Sequence, residues 1–306
     1  MGRRPVAFTA EVVSRIPDRE SRGHWTSHPA TDTAAAGWPR AVDLYWLGQA
    51  GFLIDVDGRR LVIDPYLSDT LARKYRDSRF PHKRMMPPPL HPSSLTNVNW
   101  VFSTHHHTDH LDPGTLPLIA ESSPGARFIV PESAAATAVE RGVPDDRMIT
   151  CNVGDRLELG PEVVVHVVPA AHEERRRDEG GRDVFVGYVL ELGDVVLYHA
   201  GDTVPFAELE EFLRRHVVTI ALLPVNGRDA ARRANGVPGN MTLDEALDLA
   251  ERLGVPYFVG HHFDLFDFNT IDRAWGEARI RERFPERADD YLLAATGLRY
   301  RLSLTG

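Results

Sequence analysis

Thr104-His105-His106-His107-Thr108-Asp109-His110 is the stretch whose chemistry orders everything around it. A neutral imidazole nitrogen and a carboxylate oxygen are both good zinc ligands, and here they crowd one short segment. The apolar residues 100–103 (WVFS) just before it read as a buried strand. If the segment is the loop leaving that strand, His105 and His107 point one way, and Asp109 and His110 turn back to face them. That supplies two ligands for one metal and two for a second; ions about 3.5–4 Å apart are the apparatus of many hydrolases. Taken alone, the segment also fits a solvated histidine run. Three further residues favour the metal: His172 follows the apolar run 163–171, Asp202 follows 195–199 in HAGDT, and His262 follows 257–259 in GHHFD. Residues at the strand ends of a layered α/β fold converge on one rim, so distant positions can meet.

Outward from this segment, strands and helices alternate. Residues 44–54 (LYWLGQAGFLI) and 60–63 read as strands separated by an Asp57-Gly58 turn, and Asp64-Pro65 stops the second. Residues 66–97 form a long Pro-rich loop of the kind that borders active sites. Further strands are expected at 127–130, 163–168, 220–223, 257–259, 291–293 and 298–302, with a hairpin of 184–192 and 195–199 about Gly193-Asp194. Helices are expected over 133–141, 207–215, 242–253 and 271–284. In the third of these, Thr242 caps the start, Glu245 completes a capping box and Gly254 ends it. Two sets of strands, each accompanied by helices, place the chain in the α/β class as a sandwich of two mixed sheets flanked by helices. Residues 1–40 are polar and aperiodic and are expected to be an N-terminal extension, leaving 41–306 as a single hydrolase domain.

Composition removes several function classes. A net charge of −9 argues against a nucleic-acid surface, which needs a basic face. Cys151 is the one cysteine, so neither an internal disulfide framework nor a cysteine zinc site is open to the chain. No apolar run is long enough for a membrane span, and the first residues lack the apolar stretch of a signal peptide. The expected setting is the cytoplasm and the expected partner a small-molecule substrate, with no nucleic acid and no membrane; a homo-oligomer is left open.

At this point the residues resemble a known family. Asp64, the H-x-H-x-D-H run, His172, Asp202 and His262 stand in the order of the metallo-β-lactamase superfamily motifs, whose fold is an αββα sandwich. LGQAGFLI, DPYLSD, THHHTDHLDP, YHAGDT, LPVNGRD, GNMT and HHFDLFDFN are similar to the subgroup that includes L-ascorbate-6-phosphate lactonase, over about residues 42–275. The resemblance implies that His105, His107 and His172 bind a first metal and that Asp109, His110 and His262 bind a second. It also implies that Asp202 bridges the two and that Asp64 lies behind them, orienting the histidine loop. His106 and His261 are then expected to point away, and His199 to pack or hydrogen-bond. In the sugar-phosphate lactonases the position equivalent to His172 is not a histidine, which draws this chain toward the general dinuclear pattern. Mixed N/O ligation favours zinc as the cofactor, with manganese the alternative that the lactonase resemblance implies.

No Gly-x-Ser-x-Gly elbow is present and Cys151 lacks a nucleophile's context. The expected nucleophile is therefore a metal-bridging hydroxide, since a metal lowers the pKa of bound water from roughly 16 to about 7. Asp109 is the candidate catalytic residue, taking the proton of that water. Asn226 and Arg228 are the substrate-binding candidates. Arg228 suits a bidentate contact to carboxylate or phosphate, and reads equally well as part of a solvated loop; Arg84 is a weaker candidate of the same type. Gln49 and Gly51 are candidates for the vicinity of the site, with Gly51 also readable as a strand bulge. The charged segment 173–183 reads either as a lid over His172 or as a solvated hairpin. The expected function is opening of a lactone or related small polar cyclic ester or amide. The alternatives are a phosphodiesterase of the same fold and a non-catalytic metal-dependent ligand-binding protein.

Overall fold

Along residues 42–47 the side chains alternate between two buried environments. Val42, Leu44 and Trp46 enter the larger core, whereas Tyr45 and Leu47 enter a second one. A strand covered on both faces produces this pattern, and it recurs through the computed structural model, which describes residues 6–16, 41–160 and 162–305.

The strands are β1 (Val6–Val12), β2 (Ala41–Gly48), β3 (Gly51–Val56), β4 (Arg59–Ile63), β5 (Trp100–Phe102), β6 (Arg127–Pro131), β7 (Met148–Cys151), β8 (Arg156–Gly160), β9 (Val163–Pro169), β10 (Val186–Leu192), β11 (Val195–His199), β12 (Ile220–Pro224), β13 (Tyr257–His261), β14 (Tyr291–Leu293) and β15 (Leu298–Leu304). They build two mixed sheets, ordered β1-β15-β2-β3-β4-β5-β6-β7 and β14-β13-β12-β11-β10-β9-β8. The helices are α1 (Thr70–Lys74), α2 (Leu116–Ser122), α3 (Ala135–Glu140), α4 (Ala207–Leu213), α5 (Ala230–Ala234), α6 (Leu243–Arg252) and α7 (Arg273–Arg283). Phe52, Ile63 and Phe102 of the first sheet share one core with Val165, Tyr188 and Leu197 of the second, so the sheets face each other. Leu116, Ile119 and Ala138 from α2 and α3 cover the other face of the first sheet. This is the α/β sandwich expected from the sequence.

The pairing sets where the chemistry gathers. β4 runs parallel to β5, and β11, β12 and β13 run parallel to one another. β9 and β11 are both antiparallel to β10, so they also run the same way. Asp64, the histidine segment, His172, Asp202 and His262 each follow the C-terminal end of one of these strands.

Two expected elements change, and part of the N-terminal segment is described. The run 44–54 is a hairpin rather than one strand: Gly48 (φ 96°) and Gln49 (φ 52°) turn the chain, and β2 pairs antiparallel with β3. A β-carbon on Gly51 would lie 3.0 Å from the Gly48 carbonyl and 3.1 Å from that of Asp64, so any larger residue there would crowd the backbone of the turn. Within the expected N-terminal extension, β1 is an edge strand antiparallel to β15; residues 1–5 and 17–40 lie outside the described residues. The helix expected over 133–141 starts as a 3-10 turn at Glu132–Ala134 before α3. The capping box on α6 forms as expected. Among the described residues no helix is long and apolar enough to cross a membrane.

Cys151 is buried, with its thiol near the Val130 carbonyl and the Tyr188 hydroxyl. Burial pushes its pKa up to about 12. The thiolate is the reactive form, so in native protein at pH 8 the thiol should resist a disulfide reagent and react with one equivalent only after denaturation. Rapid labelling of the native protein would contradict this burial.

Candidate metal centre

The histidine segment is held from behind. Asp64, fully buried after β4, accepts hydrogen bonds from Thr104 N (2.8 Å), Thr104 Oγ1 (2.7 Å) and His110 Nδ1 (2.7 Å). A carboxylate at His110 Nδ1 fixes the proton there and aims the Nε2 lone pair forward. His172 is set in the same way, its Nδ1 donating to the Gly239 carbonyl at 3.0 Å. His105 Nδ1 lies 3.1 Å from Thr104 Oγ1. The Asp202 loop packs tightly on this support: a β-carbon on Gly201 (φ 60°) would approach Thr104 Cβ to 2.8 Å.

The forward-facing atoms converge on Asp202. Its Oδ1 lies 3.1 Å from His262 Nε2 and 3.3 Å from His110 Nε2, and its Oδ2 lies 3.5 Å from His172 Nε2. Asp109 Oδ2 is 3.8 Å from both His110 Nε2 and His262 Nε2. A tetrahedral ion with bonds of about 2.1 Å spaces its ligand atoms about 3.4 Å apart, and these separations have that scale. The rings of His105, His107 and His172 gather beside them, with centroids 4.6 to 5.8 Å apart. Two triads have ligand atoms within 4.8 Å of one another, His105–His110–Asp202 and Asp109–His110–His262. The first triad groups His105 with His110, whereas the resemblance assigned it a place beside His107 and His172.

The donor set fits divalent cations. His105 Nε2, His110 Nε2 and Asp202 Oδ1 are buried without a hydrogen-bond partner, and such atoms cost about 1–3 kcal/mol each unless something satisfies them. Electrostatics point the same way. Burial works against charge on Asp202, yet His262, His110 and His172 outweigh it and hold the carboxyl well below the usual range. Burial also opposes charge on His110, but Asp202, Asp64 and Asp109 together raise it well above an ordinary histidine, so these carboxylates call for positive charge at its Nε2, which a bound cation would supply in place of the proton. Burial, reinforced by neighbouring imidazoles, keeps His105 and His107 neutral, the form that ligates.

Backbone strain concentrates at the same place. Gln49 (φ 52°), Asp64 (φ 45°) and His262 (φ 66°) all occupy the left-handed region, at a cost of order 1–3 kcal/mol each. The Gln49 conformation has a use: its carbonyl accepts from His262 N, and its Nε2 donates to Asp109 Oδ2 at 2.8 Å and lies 3.2 Å from His262 Nε2. Sequence reading placed Gln49 only in the vicinity of the site, because nothing local reveals that a hairpin turn carries it to Asp109.

A cavity of about 380 Å³ opens onto Asp109, Asp202, His107, His172 and His262, a size suited to a small molecule. The long loop borders it through Lys74, Tyr75, Arg79, Phe80 and His82, as expected of that loop, and α3's end contributes Arg141. The two substrate-contact candidates are placed away from the cavity lining. Arg228 is gripped at both ends of its guanidinium by Glu245 (2.6 Å each), while Asn226 is buried against Asn269 and Asn240; neither lines the cavity. Arg84 is likewise turned to the carbonyls of Tyr66, Ser68 and Met86. His106, expected to point away, lines the cavity, while His261 is fully buried against Phe52 and His199. His199 hydrogen-bonds to the Ala50 carbonyl. No residue of 173–183 lines the cavity; Arg175 pairs with Asp183 within the segment and ties it to Glu208, and Glu173 accepts from Gly239 N.

Comparison with known proteins agrees with this geometry. The family model described as "Beta-lactamase superfamily domain" matches residues 59–263. A UPF0173 metal-dependent hydrolase of Caldivirga maquilingensis is 31% identical over 184 residues, covering 60% of this chain and 70% of that protein. Among solved structures, Igni18, a metallo hydrolase of Ignicoccus hospitalis, aligns with a TM-score of 0.61 at 20% identity, covering 87% of this chain and 100% of that one. An isothiocyanate hydrolase from Delia radicum gut bacteria aligns at 0.65 and 20%, covering 84% and 98%. Sandwich, cluster and sequence match together place the chain in the metallo-β-lactamase superfamily, as a member of its UPF0173 metal-dependent hydrolase family.

Proposed function

We propose that this hydrolase uses two divalent metal ions to open a lactone or a related small polar cyclic ester or amide. The observation that carries the dinuclear reading is Asp202, whose two oxygens face different imidazoles, Oδ1 toward His110 and His262 and Oδ2 toward His172. His105, His107 and His172 would hold one ion, Asp109, His110 and His262 the other, and Asp202 both. Bound there, the ions would supply Lewis acidity toward the carbonyl and a water acidified to a pKa of about 7. Asp109 borders the cavity with its Oδ2 fixed by Gln49, and we assign it to take the proton of the attacking water and return it to the ring oxygen that leaves. Zinc suits this N/O set best, with manganese the second choice.

The cavity's charge supports the polar character of the proposed substrate. Among the described lining residues the carboxylates are Asp109 and Asp202, both in the cation cluster, whereas Lys74, Arg79 and Arg141 bring positive charge to the wall. Arg141 is anchored by the carbonyls of His106 and Leu111, which fixes its place beside the histidine loop. A polar or anionic substrate suits that wall better than an apolar one.

Untagged protein assayed on sugar lactones and on phosphodiesters, as isolated, after chelation and after adding back zinc or manganese, tests the proposal. Lactone opening that falls to background on chelation and returns with one metal is the expected result. Turnover confined to phosphodiesters would overturn it.

A further inference from the structure

A second group of metal-type ligands lies away from the cavity, on the outer face of the second sheet. His166 on β9 and Glu191 on β10 share that face: His166 pairs with Val189, and Glu191 with Val164, so the two stand on a cross-strand diagonal. The opposite face of the same strands carries Val165, Val167, Tyr188 and Leu190, all in the buried core. His216, just beyond α4, comes down over the pair from the covering layer.

The geometry is that of a ligand set rather than of a loose surface cluster. His166 Nε2 lies 3.4 Å from Glu191 Oε1, and His216 Nδ1 lies 3.8 Å from the same oxygen. All three ligand atoms fall within 4.8 Å of one another. Tetrahedral zinc with bonds of about 2.1 Å separates its ligands by about 3.4 Å, so a small inward shift of His216 closes the set. The two rings are 4.5 Å apart and inclined at 52°, so they do not stack flat. His166 Nε2 is itself buried and without a hydrogen-bond partner. The nearby arginines are engaged elsewhere: Arg156, directly opposite His166 on β8, pairs with Glu158, while Arg214 and Arg215 pair with Glu210 and Glu211. The side chains of His166, Glu191 and His216 are 22%, 35% and 13% exposed, which leaves room for water as a fourth ligand.

We propose that His166, Glu191 and His216 form an additional binding site for a borderline divalent ion such as zinc, separate from the ions of the cavity. Two imidazoles and one carboxylate suit zinc, and copper or nickel would bind the same donors. An ion there would staple β9, β10 and the end of α4, stabilising the second sheet in proportion to its occupancy.

The test uses the untagged full-length chain and zinc alone. Equilibrated with micromolar free zinc, wild-type protein should carry one more equivalent by elemental analysis than the His166→Gln/His216→Gln double variant. Glu191→Gln should shift the loading midpoint of that equivalent to higher zinc. Equal stoichiometry in wild type and double variant would overturn the proposal. Should the double variant fail to fold, anomalous diffraction at the zinc edge from wild-type crystals decides it. A peak bonded to His166 Nε2 and His216 Nδ1 supports the site, and peaks at the cavity with none here refute it.

Discussion

Asp202→Asn should strip the protein of its cavity metal and of its hydrolytic activity. Asparagine keeps the volume of the side chain, so the β11 loop and its contact with Thr104 should survive. What disappears is the negative charge that three buried imidazoles, His110, His172 and His262, face at 3.1–3.5 Å. Removing one partner from a buried charged set costs about 3–5 kcal/mol. At about 1.4 kcal/mol per factor of ten, cation affinity should fall by roughly 10² to 10⁴-fold. Turnover should fall at least as far, because both proposed ions share this side chain. Elemental analysis after gel filtration, alongside the lactone assay, reads the effect. Asp244→Asn, which alters an exposed carboxylate on α6, is the control and should keep full metal and activity. A variant at position 202 with wild-type metal content would remove Asp202 from the centre of the site.

Asp64→Asn comes next in size, and it acts without touching the cations. The Asp64 carboxylate takes three donors at 2.7–2.8 Å while completely buried. An asparagine must turn its NH₂ either toward Thr104 N or toward Thr104 Oγ1 and His110 Nδ1, which share the other oxygen, setting donor against donor in each case. If His110 yields, its proton moves to Nε2, the atom that faces Asp202, and the lone pair for the metal is lost. Metal affinity should drop by about 10–100-fold, the range for losing a partner behind a ligand. The chelated variant should also lose about 3 kcal/mol of stability, from weakened charged hydrogen bonds and an unsatisfied buried donor. Thr104→Val deletes one donor and leaves the carboxylate, so it should be milder on both counts. Urea denaturation of chelated protein gives the stability term, and zinc titration the affinity. Equal effects of Asp64→Asn and Thr104→Val would show that His110 is not oriented by the carboxylate.

How far the sequence could be read depended on the distance over which each feature is decided. The ligand types of His105, His107, Asp109 and His110 are visible because they are contiguous, and their chemistry is a property of the side chains themselves. The capping box of Thr242 and Glu245 is equally local, closing over three residues. The pairing of Arg228 with Glu245 was not legible, because that partner lies 17 residues away on another element. Gln49 was placed only near the site because the run 44–54 reads through as one strand, although Gly48 and Gly51 interrupt it and the chain turns at the left-handed dihedrals of Gly48 and Gln49. Arg141 and Lys74 gave no signal, since a charged residue at a helix end reads as solvated unless the opposite wall of the cavity is known.

The sequence by itself determined the layered α/β class and the donor atoms available for a cation, because hydrophobic periodicity and ligand chemistry belong to short stretches of chain. Tertiary structure alone decided how those donors are shared. Whether an oxygen of Asp202 faces His172 or His262 depends on β9, β11 and β13 ending on one rim, and on Asp64 fixing the tautomer of His110 across two strands. Those relations are set by pairing register and by the burial of a carboxylate against donors 40 and 46 residues distant, and no local pattern encodes them.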